Sequence, residues 1–170
     1  MYFVHTMNYM PRQLDRTQDP LLIYQAQKLQ DLIRQIVECC EDRKLYETQR
    51  FGLPYAEIRC LVLFQGERYL TVKGIAQKLE VAKSRVTKIV DGLIERGLVK
   101  RMGDPKDARF KLVSLTPEGL RKSEEIESFH RHLHYQILAQ LDPAERRELL
   151  SHLDSLRAAM EAVKTELMKA

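Results

Sequence analysis

Residues 82–101 read AKSRVTKIVDGLIERGLVKR, and three cations stand near their front: Lys83, Arg85 and Lys88. Val86, Ile89, Val90, Leu93 and Ile94 recur at helical spacing, which predicts an amphipathic helix over residues 83–96 with that stripe turned inward. Gly97 stops it, in the left-handed conformation that only glycine adopts cheaply. The first turn of a helix is the positive end of the backbone dipole, so cations there are locally disfavoured. A solvated face scatters its charges or places acids at that end. The other reading is that this end meets something strongly negative.

The neighbouring residues give this helix a partner. Thr71 is a good N-cap for a short helix over residues 72–79, with Ile75, Ala76 and Leu79 as its buried face. Glu80-Val81-Ala82 makes a tight connection, and two helices so joined form the helix-turn-helix pattern. Upstream, Pro54 opens a helix with Ile58, Leu61, Val62 and Phe64 inside, ending near Gly66. Downstream, residues 98–101 and 110–115 alternate apolar and polar side chains, predicting two strands. GDPKDA between them holds the turn formers of a hairpin tip. Thr116-Pro117-Glu118 then starts a long helix to about Gln140, threonine capping and proline taking the first turn.

The two ends share another pattern. Leu22, Ala26, Leu29, Ile33, Ile36 and Cys40 follow a 4-3-4-3-4 spacing, and so do Leu149, Leu153, Leu156, Met160, Val163 and Leu167. Asp142-Pro143-Ala144-Glu145 carries the start signals of the last helix, with Asp142 as N-cap and Glu145 closing a capping box. Long seams at both ends of a short chain predict packing against a second copy. The expected fold is mainly α with a small two-stranded β-wing: a winged helix-turn-helix domain plus N- and C-terminal dimerisation helices. Its expected divisions are a loose extension (1–19), an N-terminal helix within the dimerisation region (20–50), the winged helix (51–116) and C-terminal dimerisation helices (117–170).

Composition bounds the function. With 170 residues, 44% apolar and 31% charged, the chain reads as soluble and globular. No run approaches the roughly 18 apolar residues of a membrane span. The first nineteen residues lack the basic start and apolar stretch of a signal peptide, so a cytoplasmic location is expected. Cys39, Cys40 and Cys60 form no C-x-x-C pair, which argues against a zinc ribbon or disulfide framework. The net charge is +4, yet residues 73–111 hold 11 Lys/Arg against 5 Asp/Glu, leaving −2 for the rest. Neither H-E-x-x-H, nor a P-loop, nor G-x-S-x-G occurs, so no catalysis is expected.

That concentrated charge suits duplex DNA. The outward residues at the front of the second helix are Lys83, Ser84, Arg85, Thr87 and Lys88. Arginine can fork onto guanine, while lysine, serine and threonine reach phosphate oxygens. The major groove admits a helix, and helix-turn-helix proteins present the start of the second helix to it. On the wing, Lys106 and Arg109 lie at or beside the tip, and Lys100, Arg101 and Lys111 line the strands. Asp107 can accept from the Arg109 guanidinium and aim it, and a positioned arginine is what a narrow minor groove attracts. Taken singly, the helix reads equally as a solvated basic face and the wing as a polar hairpin with internal ion pairs.

Taken together, T-V-K-G-I-A-Q-K-L, S-R-V-T-K-I-V-D-G-L-I-E-R-G-L-V-K-R and D-P-K-D-A-R-F-K-L-V-S-L-T-P-E-G resemble the MarR family of bacterial winged helix-turn-helix regulators. Asp107, Arg109, Leu115, Thr116 and Gly119 match its D-x-R…L-T-x-x-G signature. The resemblance implies a homodimeric repressor with interleaved terminal helices. It further implies recognition helices in successive major grooves of a pseudo-palindromic operator and wings in the flanking minor grooves. Many relatives carry a second arginine at the wing tip, where this chain has Ala108.

The resemblance also implies release by a small-molecule effector bound between the DNA-binding lobe and the dimer helices. Tyr46, Phe51, Tyr55 and Phe129 fall on segments that could line such a crevice, and equally read as core or interface residues. Other members respond to metal or thiol oxidation, and a repressor without effector is a further alternative. His130 and His134, four apart on one helix face, are the candidate zinc ligands, with Glu38, Cys39 or Glu41 to complete a site. No cofactor or bound metal is expected. Cys39 and Cys40 point to two faces, so they do not bridge each other.

Overall fold

The computed structural model describes residues 19–103 and 111–169, with Lys111 described by its backbone alone. Two compact units divide the chain, 1–50 and 51–170. Among the described residues, no helix is long and apolar enough to cross a membrane.

The first unit is helix α1 (Pro20–Phe51), whose last residue belongs to the second unit. Its start is set by Asp19, whose carboxylate accepts from the Leu21 amide at 2.9 Å, with Pro20 in the first helical position. The helix runs eleven residues past the end of its apolar seam at Cys40. Leu22, Leu29 and Ile36 of that seam are exposed, whereas Ile33 and Cys40 are half-buried. Pairs such as Arg34 with Glu38 at 3.1 Å lie along the helix, where one-turn spacing brings opposite charges together.

The second unit holds the core. Helix α2 (Tyr55–Val62) begins after Pro54, α3 (Val72–Leu79) after Thr71, and α4 (Lys83–Glu95) after Ala82. The Thr71 hydroxyl accepts from the Gly74 amide at 2.9 Å, so the residue chosen as cap from sequence does cap. Ile58, Leu61, Ile75, Val86, Val90, Leu93, Val113 and Ile126 are almost wholly buried together. Each such side chain contributes about 1.5–3 kcal/mol relative to exposure. Ile94, assigned to the same stripe, is only half-buried at its edge.

Both helices of the helix-turn-helix end in the same device. After α4, Gly97 has φ +71°; its amide donates to Ile94 and the Leu98 amide to Leu93, a Schellman cap. After α3, the left-handed position is filled by Glu80 at φ 56°, with the Val81 amide donating to Ala76. A non-glycine residue there stores about 1–2 kcal/mol of backbone strain. The turn into α4 is thus sharp and held against a cost.

The wing has three strands rather than the two expected. Strands β2 (Val99–Gly103) and β3 (Lys111–Leu115) pair antiparallel, with Val99 opposite Leu115 and Arg101 opposite Val113. A two-residue strand β1 (Leu70–Thr71) pairs with the other edge of β3, giving the order β1-β3-β2. Two residues are too few for alternation to register, and Thr71 already reads as a helix cap. Helix α5 (Pro117–Ala139) and helix α6 (Pro143–Leu167) follow. Asp142 and Glu145 form the reciprocal capping box at the start of α6. Arg146 donates from Nε to the Leu138 and Leu141 carbonyls at 2.8 and 2.9 Å, satisfying the end of α5.

The start of α5 explains part of the signature. Thr116 donates from its hydroxyl to the Gly97 carbonyl at 2.6 Å and accepts from the Gly119 amide at 3.0 Å. A methyl group on Gly119 would overlap the Leu98 carbonyl. Thr116 and Gly119 are therefore the residues that seat α5 directly on the turn that ends α4.

Candidate nucleic-acid interface

Helix α4 presents its front to solvent. Lys83, Ser84, Arg85, Thr87 and Lys88 are all exposed, while Val86, Ile89 and Val90 behind them are buried. The N-cap is Ala82, which has no side-chain acceptor to offer. The first intrahelical bonds start at the Arg85 and Val86 amides, both donating to Ala82. The open amides of the first turn and the macrodipole thus favour an anion where three cations also converge. Among the described residues, Lys83, Arg85 and Lys88 have no ion-pair partner. Thr87 differs: its hydroxyl donates to the Lys83 carbonyl at 3.1 Å, leaving only its lone pairs for an incoming donor.

Arg101 is engaged. Its guanidinium meets Asp91 of α4 at 2.7 Å, both side chains being well exposed, so the base of the wing is tied to α4. Asp91 was not singled out from sequence; its ten-residue separation from Arg101 crosses the Gly97 turn, which no periodicity links. Lys100 is exposed on the same strand. Lys106, Asp107 and Arg109, together with Ala108 and the rest of the tip, lie outside the described residues.

Behind α4, Glu57 of α2 is buried and accepts from Arg96 at 3.0 Å. Desolvation raises its carboxyl above the ordinary range, and Arg96 offsets only part of that. Gly92 makes room for this carboxylate, since a methyl there would press on Glu57 Oε1. Cys60 is also buried, and burial followed by the Glu57 charge pushes its thiol up to about 12. Its thiolate is negligible at neutral pH, which argues against redox reactivity at Cys60.

The candidate effector residues separate. Phe51 and Phe129 meet edge to face with centroids 5.5 Å apart, and Lys122 stands 6.0 Å from the Phe51 ring. Tyr55 lines a different cleft, between α2 and the α3–α4 turn. Tyr46 is exposed on α1, in the first unit. His130 and His134 both lie on α5, half-buried and exposed respectively. Among the described residues, no three His, Cys, Asp or Glu side chains gather as a metal group. Cys39 is exposed and Cys40, expected buried on the seam, is half-buried.

Two helices joined by a strained tight turn, backed by α2 and followed by a β-hairpin, define a winged helix-turn-helix protein. A model of the MarR family matches residues 51–109. The HTH-type transcriptional regulator PrsX of Escherichia coli is 30% identical over 107 residues, covering 62% of this chain and 64% of PrsX. The HTH-type transcriptional repressor MdtR of Bacillus subtilis is 29% identical over 125 residues, 74% of this chain and 81% of MdtR. The fold is similar to that in the crystal structure of the S. aureus MepR–DNA complex, with a TM-score of 0.61 at 21% identity over 76% of this chain and 95% of that one. Residues 51–109 are thus similar to the MarR family, and these relatives are named transcriptional regulators.

Proposed function

We propose that the protein is a sequence-specific DNA-binding regulator, a cytoplasmic repressor that binds a pseudo-palindromic operator as a homodimer and is released by a small-molecule effector. The observation that carries the reading is the front of α4: three exposed cations around an uncapped helix start, none of them paired within the described residues. Without a polyanion that arrangement is unfavourable, and against phosphate each part of it contributes. MepR was crystallised with DNA and MdtR is named a repressor, which supports the same role here.

Arg85 reads a base edge in the major groove, Lys83, Ser84 and Lys88 hold phosphates, and Thr87 accepts where a donor approaches. Arg109, aimed by Asp107 and flanked by Lys106, takes the minor groove, and Arg101 reaches the backbone when released from Asp91. The dimer buries the exposed seams of α1 and α6, where Leu22, Leu29, Leu153, Met160 and Val163 otherwise face water. Half-sites then lie about 34–36 Å apart. An effector works by favouring a separation of the two helices that does not match the operator.

Recovery of bound fragments from the source genome, followed by footprinting, tests this reading. Arg85→Ala should cost about 1–3 kcal/mol and relax preference at one position per half-site. Arg109→Ala should weaken binding through the flanking minor groove. Retention of full affinity by both variants would remove the assigned surface.

A further inference from the structure

A cleft of about 650 Å³ opens between the start of α2, the α3–α4 turn and the outer side of α4. Three charged side chains line it: Arg59 from α2, Arg85 from the first turn of α4 and Glu80 from the turn. Helix α2 is otherwise turned inward here, since Glu57, Ile58, Cys60 and Leu61 on either side of Arg59 are buried. Arg59 alone of residues 57–61 is exposed, and it lies in the cleft that the front of α4 borders.

Most arginines among the described residues are engaged. Arg34, Arg43, Arg96, Arg101, Arg131 and Arg157 each meet a carboxylate, and Arg146 closes on two carbonyls. Arg59 and Arg85 are exposed and, among the described residues, have neither an ion-pair nor a hydrogen-bond partner. A cation in the last turn of α2 suits the helix dipole, which accounts for the charge at Arg59. It does not account for two open guanidinium groups in one cleft, where they repel each other until an anion joins them. Glu80 shares the cleft and, among the described residues, pairs with neither. Its carboxylate disfavours an anion drawn deep into the cleft, so the favoured place for one is the mouth. A duplex backbone supplies anions there, because its phosphates pass over the surface and stay in water.

We infer that Arg59 is a further DNA contact, holding the backbone phosphate beside the base pair that Arg85 reads. The inference rests on the reading of the front of α4 as the DNA surface, and it extends that surface to α2. A guanidinium fork matches two phosphate oxygens, and a phosphate contact carries register rather than sequence. Arg59 thus fixes the depth and tilt of α4 in the groove, while Arg85 selects the base. Glu80 opposes the same phosphate from the turn, which keeps the contact below its full strength.

The full-length protein is titrated with its footprinted operator, and with a scrambled duplex of equal length, over a range of salt concentrations. Arg59→Gln should bind both duplexes about three- to tenfold more weakly, with the salt slope reduced by about one per bound chain. Its base preference should not change, in contrast to Arg85→Ala. Arg59→Lys keeps the charge, so its slope should match the wild type. Glu80→Gln should tighten binding of both duplexes. Thermal melts confirm that the variants fold. Operators carrying one neutral methylphosphonate at a time locate the contact. At one position in each half-site, beside the base pair whose preference Arg85→Ala relaxes, wild type and Arg59→Gln should bind alike. An unchanged salt slope in Arg59→Gln, an altered base preference, or the lack of any such methylphosphonate position overturns the inference. So does a slope in Arg59→Lys as low as that of Arg59→Gln. Binding unchanged by Glu80→Gln overturns the opposing role of that carboxylate. If the wild type binds no duplex, the DNA reading falls and the Arg59 contact with it. If the wild type binds and Arg59→Gln binds equally well, Arg59 alone leaves the surface.

Discussion

Helices α4 and α6 carry apolar stripes of comparable regularity, yet they end in opposite environments. Val86, Val90 and Leu93 of α4 are fully buried, whereas Leu153, Met160 and Val163 of α6 are about half exposed, at 47%, 53% and 56%. Periodicity states that a helix has an apolar face; it does not state whose atoms will cover it. The centre of the chain covers its own face, with α2, α3, β3 and α5 packed around α4. The terminal helices leave theirs exposed within the described residues.

The comparison can be broken most forcefully at α6. Leu153→Glu combined with Met160→Glu should yield monomers by sedimentation, with operator affinity reduced about 10²–10⁴-fold through loss of bivalency. The winged helix should keep its fold. A dimer that survives this pair of charges would place the interface elsewhere. Next in size is the junction between α4 and α5. Gly119→Ala should destabilise by about 3 kcal/mol, since the Leu98 carbonyl occupies the space of the new methyl. Gly103→Ala is the control: a methyl there meets nothing within 4 Å. Urea melts of the two separate a specific clash from a general intolerance of alanine.

Smaller effects sharpen the centre. Asp91→Asn breaks an exposed ion pair, so stability should change by about 1 kcal/mol or less. DNA affinity should rise and its salt slope steepen by about one phosphate, because Arg101 is released. A fall in affinity would mean that Asp91 serves by holding the wing rather than by competing for its arginine. The smallest effect concerns Glu57. Its folded pKa is raised, so the stability it contributes is present below about 4.5 and lost as pH rises through the folded value. Glu57→Gln should remove that component of the pH profile in melts taken from acid to neutral.

Much of this fold was legible because its signals are local. Thr71, Gly97, Thr116 and Asp142 each act within three residues of themselves, and all four terminate or start helices as their types require. Strand β1 escaped because its partner lies some forty residues away and its length carries no alternation. The Asp91–Arg101 pair escaped for the same reason: it is made across a turn. Glu80 in a left-handed position was hidden by its type, since glutamate seldom marks such a site. The front of α4 was read correctly as an exposed basic surface, but the internal engagement of Thr87 needed coordinates. Arg59 drew no notice because it stands alone in sequence, and only the turn brings it to the cleft that Arg85 lines.

The seat of α5 on Gly97 and Leu98 has a mechanical consequence. Backbone touches backbone there, with one hydroxyl bridging both sides and no side chain between to compress or rotate. A soft layer would absorb small tilts; this joint transmits them. A tilt at the start of α5 therefore bears directly on the turn that ends α4, whose opposite end carries the exposed cations.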